Sequence, residues 1–202
     1  MLSPNIIFIG VAVGLISTSI YIRDIYYGTT RPNLVSWSLW LLGPFIGVFF
    51  QIKAGAGLSV LPVFMAGFGP LLVVVFSLFK KNSYWKLTAF DVICGAFSIL
   101  ALVLYVLTRN LALSIIFAIL SDLLAFIPTY IKGWKFPETE TSIVYITGIF
   151  NNVLGLLIIK DWSFTIYSFG LYLIIANIVM VYFLYRKKIF KSSLSSVPPQ
   201  YP

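Results

Sequence analysis

Apolar runs of about twenty residues, separated by short clusters of charge, dominate the 202-residue chain. A run of that length is what a helix needs to cross roughly 30 Å of hydrocarbon. Seven such runs cover residues 5–27, 34–52, 58–79, 85–107, 110–131, 142–159 and 164–185. The chain is therefore expected to be an all-α membrane protein with seven transmembrane helices. A membrane barrel would alternate apolar and polar residues in segments of about 10. Composition points the same way: 10% of the residues are charged, against about 25% in soluble domains. That is too little polar surface to clothe a water-soluble globule.

The opening residues, Met1-Leu2-Ser3-Pro4-Asn5, carry neither the basic start nor the small-residue cleavage site of a secretory signal, so the first run is expected to be kept as a span. Seven spans put the termini on opposite sides. Lys and Arg, which gather in cytoplasmic loops, occur on one side as Arg23, Arg31, Lys80, Lys81, Lys86, Lys132, Lys135, Arg186, Lys187, Lys188 and Lys191. The other side has only Lys53, Arg109 and Lys160. The N-terminus is thus expected outside and the C-terminus in the cytoplasm, in a cell inner or plasma membrane. The net charge of +8 reads as a belt beside the anionic lipid bilayer and not as a nucleic-acid footprint. Residues 192–202, rich in Ser and Pro, are expected to be a disordered tail.

Cys94 is the single cysteine and there is no histidine, so the chain has no intrachain disulfide and lacks the commonest transition-metal ligand and the usual general base near neutral pH. No span pairs carboxylates one helical turn apart, and there is no Gly-rich phosphate loop. Neither a metal, a cofactor nor an enzymatic reaction is expected. A homo-oligomer is compatible with this composition.

Sliding the sequence by 109 residues sets Ile6-Ile7-Phe8 on Ile115-Ile116-Phe117 and Tyr21-Ile22-Arg23 on Tyr130-Ile131-Lys132. A shift of 107 sets Lys53 on Lys160, Phe76 on Phe183 and Lys80-Lys81 on Lys187-Lys188. Spans 1 to 3 and spans 5 to 7 also cross in the same directions, so span 4 is the linker that two parallel three-helix copies require. The expected division is a first repeat at 1–82, a linker helix at 83–109 and a second repeat at 110–191.

In the second copy, Ile127-Pro128-Thr129-Tyr130-Ile131-Lys132 resembles the Pro-Gln signature of the SWEET and PQ-loop superfamily of membrane transporters, followed by an aliphatic and a basic residue. Thr129 stands in place of Gln, and the first copy has Ser19-Ile20 at that point. The segment Ile174-Ile175-Ala176-Asn177-Ile178-Val179 is similar to the helix that supplies a substrate-contacting asparagine in bacterial half-size members, the match falling on Asn177. Asn152 stands about where those members place a tryptophan. The resemblance implies a 3+1+3 fold and transport of a sugar-like solute.

Ionisable residues in a bilayer are costly and need a reason. Asp91 lies five residues from Lys86 and is expected to reach the interface or a basic neighbour. Asp122 is ten residues before Lys132, about 15 Å deep at 1.5 Å per residue. Asn151, Asn152 and Asn177 fall at a similar depth, so three helices of the second copy bring polar groups to one level. They are expected either to bind a solute or to glue helices together by hydrogen bonds. Trp37 and Trp40 share one helix face. They read as part of the interfacial aromatic belt or as a stacking platform for a substrate, and the Trp-x-x-Trp spacing also resembles PnuC-type vitamin-precursor transporters. Tyr21, Tyr26, Tyr27 and Tyr130 are assigned to the belt. Pro44, Pro70 and Pro128 interrupt three spans and are expected to act as hinges or gates, or simply to kink their helices.

The expected function is transport of a small-molecule polar solute by alternating access. Asn152 and Asn177 would hydrogen-bond it, Trp40 would pack on it, and Asp122 would bind it or carry a coupling proton. The alternative is a non-transporting receptor or assembly protein on the same scaffold.

Overall fold

The computed structural model describes residues 3–80, 84–108 and 110–195. The expected boundary at 82/83, Lys81, Arg109 and residues 196–202 lie outside them. Among the described residues there are seven α-helices: α1 (Ile7–Tyr27), α2 (Leu34–Lys53), α3 (Leu61–Phe79), α4 (Ala89–Leu107), α5 (Leu111–Lys135), α6 (Ile143–Leu157) and α7 (Phe164–Ser195). Short 3-10 turns stand at Pro4–Ile6, Leu58–Val60 and Pro137–Thr139.

Local chemistry sets several of these ends. Helix α1 stops at Gly28, whose φ of 78° lets its N–H turn back to the carbonyls of Asp24 and Ile25; that left-handed conformation is one a side chain disfavours. The Asn110 side chain caps α5 by accepting from the N–H groups of Ala112 and Leu113. Helix α4 begins with a reciprocal box in which Thr88 and Asp91 each accept from the other's backbone. Of the two expectations for Asp91 the basic neighbour is not met: it is a buried helix cap in the first turn of α4 that also accepts from Asn33 Nδ2 at 3.2 Å, and among the described residues it forms no ion pair.

Two helices run further than the hydropathy pattern predicts. Helix α5 continues through Lys132 to Lys135, and α7 continues to Ser195, so residues 192–195 are helical where disorder was expected. Charge at helix ends lowers local hydropathy without lowering helix propensity, since Lys and Arg are good helix formers.

Among the described residues, five segments are long and apolar enough to cross a membrane: Ile7–Tyr27, Leu34–Lys53, Leu58–Phe79, Ala112–Lys135 and Phe164–Lys187. Ala89–Leu104 and Ile143–Leu157 are shorter apolar helices. The radial distribution is that of a membrane protein. Phe90, Ile93, Phe97, Leu100, Val103 and Leu107 of α4 and Phe8, Ile9, Ile16, Ile175 and Ile178 elsewhere are exposed. Ser17, Ser36, Ser98, Ser121, Thr129, Asn151 and Asn177 are buried. In water this inversion of the usual rule would be prohibitive. In a bilayer it lets polar groups satisfy one another and leaves hydrocarbon on hydrocarbon.

Helix α3 packs against both α1 and α2, and α7 packs against both α5 and α6. Across the molecule α1 lies on α6, α2 on α5 and α3 on α6, while α4 flanks α5 and α2. Ser98 and Ser121 fasten α4 to α5, each hydroxyl reaching the other's carbonyl at 2.6 and 2.9 Å. The main apolar core joins Tyr21, Ile25, Trp37, Trp40, Val73, Phe126, Tyr145 and Met180. It draws on α1, α2, α3, α5, α6 and α7.

Candidate functional site

The aromatic part of the site begins on α2. Trp37 and Trp40, three residues apart, fall on one face and turn inward, 4% and 6% exposed. Their rings are 5.4 Å apart; Tyr21 lies 4.6 Å from Trp37 and Phe126 lies 4.3 Å from Trp40. The belt reading of both tryptophans and of Tyr21 is therefore wrong: the flat faces are used inside the protein. Tyr26 and Tyr27 are exposed, as belt residues would be. Tyr130 is half-buried, its hydroxyl donating to the Ala176 carbonyl at 2.9 Å.

Beside these rings is a cavity of about 110 Å³. Helices α5, α6 and α7 give it Asp122, Phe126, Val144, Tyr145, Thr147, Gly148, Asn151, Asn152, Leu173 and Asn177. Helices α1, α2 and α3 give it Gly14, Ser17, Thr18, Trp37, Trp40, Pro44, Pro62, Met65, Ala66, Gly69 and Pro70. Every carboxylate and amide on the wall comes from the second half of the chain, while the first half supplies rings, hydroxyls and kinks. Asp122, Asn151, Asn152, Asn177, Trp37 and Trp40, singled out separately in the sequence, meet at one cavity.

The polar groups are oriented by their helices. The Tyr172 hydroxyl of α7 donates to Asp122 Oδ2 of α5 at 2.8 Å. Asn152 Nδ2 donates to the Gly148 carbonyl at 2.8 Å, and Asn177 Nδ2 donates to the Leu173 carbonyl at 2.7 Å. Each of these two amides thus returns its nitrogen to the preceding turn. Asn151 Oδ1, Asn152 Oδ1 and Trp40 Nε1 are buried without a hydrogen-bond partner in the protein. Buried polar atoms are normally paired, so these mark where a ligand or water belongs.

Two glycines make room for the amides. A Cβ on Gly10 of α1 would stand 2.5 Å from Asn151 Oδ1, and one on Gly148 would stand 3.1 Å from Asn177 Nδ2. Thr147 closes the seam between α6 and α1, its hydroxyl 2.8 Å from that of Ser17.

Pro44 and Pro70 lie inside α2 and α3 and line the cavity. Each lacks the N–H that would bond the carbonyl four residues earlier; those carbonyls belong to Trp40 and Ala66, both wall residues. Pro128, inside α5, is not part of the wall. Its neighbour Thr129 is fully buried and donates to Ser36 Oγ of α2 at 2.9 Å, so the Pro-Thr segment fastens the two halves together.

At the end of the bundle where α1 meets the loop before α6, the halves are bridged by charge. Lys132 Nζ is 2.6 Å from Glu140 Oε1. The other carboxylate oxygen accepts from Tyr21 at 2.9 Å and from Tyr145 at 3.3 Å. Lys132 also donates to the carbonyls of Arg31 and Thr139. The Arg31 N–H meets the Thr139 carbonyl at 3.1 Å, and the Thr141 hydroxyl donates to Asp24 Oδ2 at 2.7 Å. Tyr145 belongs both to this bridge and to the cavity wall.

Glu140, Tyr145 and Tyr172 are the functional residues that sequence reasoning missed. Glu140 reads as one acid of a polar loop, and its partner Lys132 reads as a basic exit until α5 is known to continue past it. No protein-family model, curated protein or solved structure matches the chain.

Proposed function

We propose that this chain is a seven-helix transporter of a small polar solute that works by alternating access. The observation that carries the reading is the single cavity on which Asp122, three asparagines, two tryptophans and two helix-breaking prolines converge between the two halves of the chain. Small-solute sites in helical transporters lie at the interface of internal repeats and use interrupted helices.

The packing supports the 3+1+3 plan. The third helix of each triplet touches the other two, and the contact of α1 with α6 has its counterpart in that of α5 with α2. In this plan α4 is the linker, all seven helices cross the bilayer, and the basic ends of α1, α5 and α7 face the cytoplasm by the positive-inside rule. The Lys132–Glu140 bridge then closes the cytoplasmic end. Asn152 and Asn177 hold the solute, Trp40 packs against it, and Asp122 contacts it or carries a coupling proton.

The test is uptake into vesicles containing the purified protein, with solutes first selected by thermal stabilisation; at 100 times its Kd a ligand stabilises the fold by about 2.7 kcal/mol. Uptake should exceed that of empty vesicles. Asp122→Asn should lose either uptake or its response to an inward proton gradient. A parent protein that binds a solute tightly yet never moves it would sink transport and favour the second reading, a receptor or assembly protein. The bridged end, which meets the cavity wall at Tyr145, is the observation that favours that reading.

A further inference from the structure

The wall chemistry narrows the solute. We infer that the cavity takes a small organic cation bearing N–H donors, of the primary alkylammonium class, with Asp122 as its counter-ion. This rests on the reading of the cavity as a solute site and goes beyond it in naming charge and donor pattern.

Asp122 is 5% exposed, and among the described residues lining the cavity there is no Lys or Arg. Its protein partner is the neutral Tyr172 hydroxyl. A buried carboxylate without a positive partner is expensive, and a cationic solute removes that cost when it enters. Structural carboxylates here are treated differently: Glu140 has Lys132, and Asp91 sits in a helix cap.

Neutral polar groups add acceptors beside Asp122. Because a carbonyl can only accept, the bonds from Asn152 to Gly148 and from Asn177 to Leu173 require the amide nitrogens to face the helix, and Asn152 Oδ1 is left without a partner. Asn151 Oδ1 and Asn152 Oδ1 are unpartnered acceptors, and Trp37 Nε1 and Trp40 Nε1 are unpartnered indole donors, all on residues of the wall. An ammonium group offers three N–H donors and no acceptor, which the Asp122 carboxylate and the two amide oxygens can receive. The rings of Trp40 and Phe126, 4.3 Å apart, add faces that attract a cation. At about 110 Å³, the cavity holds on the order of ten water-sized bodies, which is room for a short-chain amine.

The experiment is calorimetric titration of the full-length purified protein with n-butylammonium, its neutral counterpart butan-1-ol, and tetramethylammonium, a cation without N–H groups. Butylammonium should bind about tenfold or more tightly than either of the others, as the loss of a charged hydrogen bond implies. Asp122→Asn should remove that preference. Tyr172→Phe keeps the volume and serves if the first variant does not fold; it should weaken butylammonium about tenfold and leave butan-1-ol unchanged. Equal binding of amine and alcohol, binding of neither, or an amine preference that persists in both variants overturns the assignment. Tetramethylammonium binding as tightly as butylammonium overturns the N–H recognition. Vesicle uptake of a neutral solute that butylammonium cannot block would defeat the cation assignment while leaving transport intact, whereas absence of all uptake would defeat transport itself.

Discussion

Lys132 Nζ and Glu140 Oε1 stand 2.6 Å apart with their side chains 1% and 0% exposed, joining the last turn of α5 to the chain entering α6. Tyr21 of α1 donates to the same carboxylate, so the pair ties both halves of the molecule at one end. Such a pair owes its worth to completeness: removing one partner strands a buried charge, a loss of about 3–5 kcal/mol, whereas replacing both with apolar residues is often nearly neutral. Lys132→Met and Glu140→Leu should each lower stability by roughly that amount, and the double variant by much less. Unfolding in mixed micelles, arranged as a double-mutant cycle, checks this. Additive losses would mean that the two charges do not act as a unit.

Thr129 tests the fastening between α5 and α2. Its hydroxyl donates to the buried Ser36 hydroxyl, so Thr129→Val keeps the shape and orphans a polar group, at about 1–3 kcal/mol. Thr129→Ser keeps the bond and should cost less. Melting temperatures of the two variants in one detergent should separate in that order; equal values would show that packing, not the hydroxyl, holds the segment.

Gly10 and Gly148 test the glycine rule for the amides. Gly10→Ala would drive a methyl group into Asn151 Oδ1 and Gly148→Ala would press on Asn177; overpacking of this kind costs about 1–3 kcal/mol. Gly148→Ala, with the milder clash, should fold and show the clearer loss of ligand affinity. Gly43→Ala, with nothing within 4 Å of the added methyl, is the control expected to change neither stability nor binding.

Much of the cavity is legible in the sequence because hydrocarbon makes polar residues conspicuous. Asp122, Asn151, Asn152 and Asn177 stand out in apolar runs, and counting 1.5 Å per residue from the inner end of each span places them at one depth. The same count cannot say which way a side chain points. That is why Trp37 and Trp40 read first as belt, with a cavity role as the other option, whereas the structure turns them inward. Tyr172 carries no signal, since tyrosine is frequent near membrane interfaces. Glu140 is hidden for another reason: its partner lies across a helix-to-loop corner, and that corner moves when α5 runs one turn past the end of its apolar stretch. Asp91 was readable, because Thr88 three residues earlier makes a capping box, a local pattern that outranks proximity to Lys86.

Pro44 and Pro70 bear on motion. Each removes a helix bond from a wall residue, Trp40 or Ala66, and so leaves α2 and α3 locally softer beside the solute. Restoring the N–H by Pro44→Ala or Pro70→Ala should stiffen the helix without touching Asp122 or the amides, and Ala is the better helix former by about 3 kcal/mol where the backbone can accept it. If the two halves rock about these points, the variants should bind solute with near-parental affinity, melt at an equal or higher temperature, and transport several-fold more slowly. Binding by calorimetry and initial uptake rate on the same preparation separate the two effects. Affinity and rate falling together would place the prolines in the shape of the cavity, and unchanged transport would remove them from the moving parts.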